Sequence, residues 1–90
     1  MKLVQPEFPA PTRFVIRNDR NYYYTGHGET QWGQDIGPRF KSDEVLDAVK
    51  YGDVESVEQM VKNHKKWCID AGREDLITVF DTCQIVPVSR

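Results

Sequence analysis

His64 and Cys68 stand four residues apart in a segment of helical periodicity, so they share a face and could chelate zinc. His27 and Cys83 are the residues that could complete a tetrahedral set. Structural zinc sites usually bring close ligand pairs at both ends, and this spacing has none. Both His64 and Cys68 also fall within an apolar stripe. A packed thiol and a half-buried imidazole are therefore expected, with no metal and no cofactor.

The run Gly26-His27-Gly28-Glu29-Thr30-Gln31-Trp32-Gly33 has the glycine content of a phosphate cradle. Such cradles usually need a helix N-terminus directly behind them. Here Gln34-Asp35-Ile36-Gly37-Pro38 follows, which does not open a helix, and no Gly-Lys-Ser/Thr ending is present. A turn needing positive φ accounts for the glycines. His27, Glu29 and Asp35 carry acid–base groups, but nothing in their spacing orients one on another. No Ser or Cys sits in a nucleophile elbow. No residue is assigned a catalytic role.

Binding chemistry is the stronger signal. Tyr22 and Tyr24 alternate with Tyr23 on a strand, so one side is buried and some aromatic surface stays near water. Aromatic side chains dominate interface hot spots, which makes Tyr22, Tyr24 and Trp32 candidate partner-binding residues. Asp43, Glu44 and Asp47 add a second candidate patch. Six carboxylates lie between Asp43 and Glu58, against Lys50 alone. Capping and the helix dipole explain some of these charges. Lys62, Lys65 and Lys66 form a basic counterpart on the solvated side of a later helix.

The chain that must position these groups has 90 residues, enough for one domain near the small end of what folds alone. Apolar residues make up 39% of it and include ten aromatics, sufficient for one modest core. The formal charge of −2 argues against general affinity for nucleic acid or anionic membranes. It is unevenly spread: residues 1–41 sum to +2 and residues 42–90 to −4. No segment reads as a signal peptide or a bilayer span. Two cysteines do not make a disulfide framework, and a reducing cytoplasm is the simplest reading.

Pro6, Pro9 and Pro11 mark residues 1–11 as an extended arm, leaving residues 12–90 as a single domain. Thr12–Arg17 reads as a strand, Asn18–Asn21 as a turn and Tyr22–Thr25 as the partner strand of a hairpin. A loop from Gly26 to Pro38 follows, with a short extended piece at Arg39-Phe40. Ser42 is the expected N-cap of a first helix from Asp43 to Tyr51 that buries Val45, Leu46 and Val49. Gly52 ends it and Asp53 caps the second helix, Val54–Ala71. On this helix Val54, Val57, Met60, Val61, His64, Trp67, Cys68 and Ala71 fall within roughly a 140° arc. Val61 and Cys68 should be buried, and Gly72 is a natural stop. The β-branched stretches Leu76–Phe80 and Gln84–Val88 predict one long bent strand, or else a hairpin turning at Asp81-Thr82. The order β-β-α-α-β implies an α+β domain with an antiparallel or mixed sheet and helices packed on one face.

The series Phe14-Val15-Ile16-Arg17-Asn18-Asp19, Tyr22-Tyr23-Tyr24-Thr25-Gly26, Trp32 and Arg39-Phe40-Lys41-Ser42 resembles a group of small phage and prophage accessory proteins. In these a hairpin with a tyrosine-rich second strand precedes a tryptophan, an R-F-K-S segment and a helix. The match covers residues 13–50, and no catalytic residue is carried over. The resemblance implies an early viral protein that acts inside a bacterial cell by binding and obstructing a host enzyme or defence complex. A non-catalytic protein-binding module with a host protein as partner is the expectation. A nucleic-acid-associated accessory protein using the lysines and tyrosines is the alternative.

Overall fold

The computed structural model describes residues 1–4, 13–29 and 35–88. It is an α+β domain built on a five-stranded mixed sheet. The strands are β1 (Lys2–Leu3), β2 (Arg13–Arg17), β3 (Tyr23–Glu29), β4 (Asp35–Ser42) and β5 (Gln84–Val88), in the order β1-β5-β2-β3-β4. One long helix, α1 (Val54–Asp70), carries the face that packs on the sheet. Among the described residues only β1 and β5 run parallel.

Helix α1 forms for the local reasons its sequence supplies. The Asp53 carboxylate accepts a hydrogen bond from the Ser56 N–H at 2.7 Å, satisfying one of the donors a helix start leaves over. At the other end Gly72 adopts φ +69°, a left-handed geometry costly for other residues. The Gly72 N–H then reaches Ile69 O at 3.3 Å and the Arg73 N–H reaches Cys68 O at 2.8 Å, closing a Schellman motif. Val57, His64 and Cys68 are the buried positions of the inward stripe. Val61, expected to be buried, is only partly so, and packs beside the core with Val54 and Met60.

The core joins α1 to the sheet through Ile16, Tyr24, Val57, Phe80, Cys83 and Ile85. Aromatic rings fill its centre: Phe80 meets Tyr24 edge-on at 5.3 Å and His64 edge-on at 4.9 Å between centroids. The first residues of the arm take part in the sheet. Lys2 and Leu3 pair with Gln84 and Ile85, and the Val4 N–H donates to Ile85 O at 2.8 Å. Residues 5–12 lie outside the described residues.

Three expectations are overturned. First, there is no α-helix over Asp43–Tyr51, and Ser42 belongs to β4 instead of capping one. A single 3-10 turn, Val45–Asp47, replaces it. The sheet explains why. β2 and β3 are paired where Arg17 meets Tyr23, and beyond that point the segment Val49–Tyr51 is wedged between them. The Val49 N–H donates to Tyr24 O at 3.0 Å, while Phe14 and Tyr51 exchange both backbone bonds at 2.8 Å. A backbone that bridges two strands must be extended, so it cannot finish a helix.

Second, the loop placed over Gly26–Pro38 is largely strand. β3 continues to Glu29 and β4 begins at Asp35, paired through Gly26–Arg39, His27–Pro38 and Gly28–Gly37. Register shifts along this ladder absorb the glycines that suggested a loop. Third, Leu76–Phe80 is not a strand in either of the forms expected. A 3-10 turn at Glu74–Leu76 leads into consecutive turns, with the Val79, Asp81 and Cys83 N–H groups donating to Leu76, Thr78 and Phe80 carbonyls. Tight turns here deliver Leu76 to α1 and Phe80 to the core, which a straight strand would carry away.

Candidate functional site

The sequence's binding candidates do not share one environment. Tyr24 is 5% exposed and belongs to the core, whereas Tyr22 is 43% exposed. Trp32 lies outside the described residues. Asp43, Glu44 and Asp47 are all exposed around the 3-10 turn. The pairing of Tyr23 with Ser42 sets Tyr22 and Asp43 one step further at the same end of the sheet. Tyr22 and the acidic turn are therefore neighbours in the fold, although twenty residues separate them.

The turn carries a residue the sequence did not mark as functional. Leu46, expected on the buried face of a helix, is 78% exposed and is flanked by Asp43, Glu44 and Asp47. The backbone beneath it is held by one cation. Lys50 Nζ donates to the carbonyls of Val45, Leu46 and Ala48 at 3.1, 3.2 and 3.1 Å. These are carbonyls that a continuing α-helix would have bonded to N–H groups four residues on. The lysine thus closes a turn around itself, and Leu46 stands exposed on that turn. No signal in the sequence distinguished this arrangement from an amphipathic helix, because the apolar spacing of Val45, Leu46 and Val49 suits both.

Next to the turn, Thr25, His27, Arg39, Lys41 and Asp47 line a polar concavity of about 490 Å³. Arg39 and Lys41 flank the core-packed Phe40, an alternation readable from the sequence once the segment is known to be a strand. The lysines of α1, Lys62, Lys65 and Lys66, are exposed as expected, and Lys65 approaches Asp81 at 3.8 Å.

His64 is only 1% exposed, deeper than the half-buried ring expected. Its Nε2 lies 2.7 Å from Leu76 O, which can only accept, so that nitrogen carries the proton. Cys68 Sγ sits 3.4 Å from the same ring nitrogen. His27 comes within 5.8 Å of His64 between ring centroids, but Cys83 turns elsewhere and donates to Val79 O at 3.5 Å. Among the described residues no group of three or more His, Cys, Asp or Glu side chains could hold a metal ion. Burial pushes the Cys68 thiol up, with Asp75 adding to it, and pushes Cys83 up to about 11. Neither thiol is primed as a nucleophile.

No family model, curated protein or solved structure matches the chain. Among the described residues no helix is long and apolar enough to cross a membrane.

Proposed function

We propose that this chain is a non-catalytic protein-binding module whose contact surface is the acidic turn at Asp43–Asp47 together with Tyr22. The observation that carries this reading is Leu46, 78% exposed in a turn rimmed by three carboxylates. Burying a leucine in a partner's pocket contributes roughly 1.5–3 kcal/mol, while carboxylates around it steer a basic rim into register. Tyr22 extends the apolar contact at the same end of the sheet.

That the partner is a host enzyme or defence complex in the bacterial cytoplasm, and the chain a phage-encoded inhibitor or modulator of it, rests on the resemblance over residues 13–50. Two free, buried cysteines suit such a compartment. The test is capture from bacterial lysate with and without nuclease, using the parent chain and Leu46→Ser. A protein retained after nuclease and lost with Leu46→Ser supports the reading. Capture that nuclease abolishes points instead to nucleic acid, and capture indifferent to Leu46→Ser moves the interface off this turn.

A further inference from the structure

We draw no further inference here: the strongest candidate, the outer face of α1 that carries the exposed Ile69 among Lys62, Lys65 and Lys66, is an unpartnered helix face, and nothing in the structure shows what covers it.

Discussion

His64 Nε2–H donates to the carbonyl of Leu76 at 2.7 Å, a buried hydrogen bond between the middle of α1 and the 3-10 turn that follows it. The bond reaches back over the Schellman stop at Gly72 and fixes where the chain goes next. With the bond made, Phe80 enters the core beside the same imidazole, at 4.9 Å between centroids. Replacing His64 by Leu keeps apolar volume but deprives Leu76 O of this donor. The expected cost is about 1–3 kcal/mol, read as a lower urea midpoint with unchanged slope. An unmoved midpoint would show that the turn holds itself.

Phe80 should be the most sensitive core position. Phe80→Ala is expected to cost about 3–5 kcal/mol, comparable with much of the total stability of a domain this small. Circular dichroism at ambient temperature should show a substantially unfolded population. A fully folded, cooperative variant would mean that Tyr24, Phe40 and His64 can close over the gap.

Lys50→Met tests the cation that closes the acidic turn. Because Lys50 is exposed, the thermal midpoint should change little, while the Asp47 and Ala48 amides, which donate within the turn, exchange faster with solvent. The same variant should weaken capture of the partner, since the backbone that presents Leu46 loses three carbonyl contacts. Exchange rates equal to the parent's would show the three carbonyl contacts to be dispensable.

Charge and apolar contact should separate kinetically at the proposed interface. Reversing Asp43, Glu44 and Asp47 to lysine is expected to slow association and flatten its salt dependence. Leu46→Ala or Tyr22→Ala should instead speed dissociation, with a loss of roughly 2 kcal/mol or more at a hot spot. Binding kinetics at two ionic strengths distinguish the outcomes. Parent-like association in the reversed chain would reduce the carboxylates to local helix and turn electrostatics.

Alkaline pH should destabilise the fold through its thiols. Cys83 is held protonated by burial, its pKa raised from 9.0 to about 11, and Cys68 is raised in the same direction. A raised folded-state pKa stabilises fully below pH 9 and loses that contribution as pH rises through 11, because only the unfolded chain ionises early. Tyr51, also raised by burial, acts in the same sense. The urea midpoint should therefore fall between pH 9 and 11, and Cys83→Ala should shrink that fall. At neutral pH both thiols should react with a thiol reagent only as fast as the protein opens.

The sequence by itself determined the elements whose causes are local. Asp53, the apolar stripe from Val54 to Cys68 and the left-handed Gly72 specify α1 to within a residue, because cap, periodicity and stop act over a few positions. The turn at Asn18–Asn21 is equally local, with Asn18 Oδ1 accepting from Arg20 and Tyr22 N–H groups and Asn21 at φ +66°. The α+β class followed from the same signals. Tertiary structure decided everything that depended on a neighbour. The apolar spacing at Val45, Leu46 and Val49 fits a helix face, but Phe14 and Tyr24 claim the backbone at Val49 and Tyr51 and pull it extended. The β-branched run at Ile77-Thr78-Val79 fits a strand, but His64 and the core take hold of Leu76 and Phe80 on either side of it. The exposure of Leu46 was invisible for the same reason: distant strands claim the backbone that follows its turn, and a single sequence does not show which distant groups will meet.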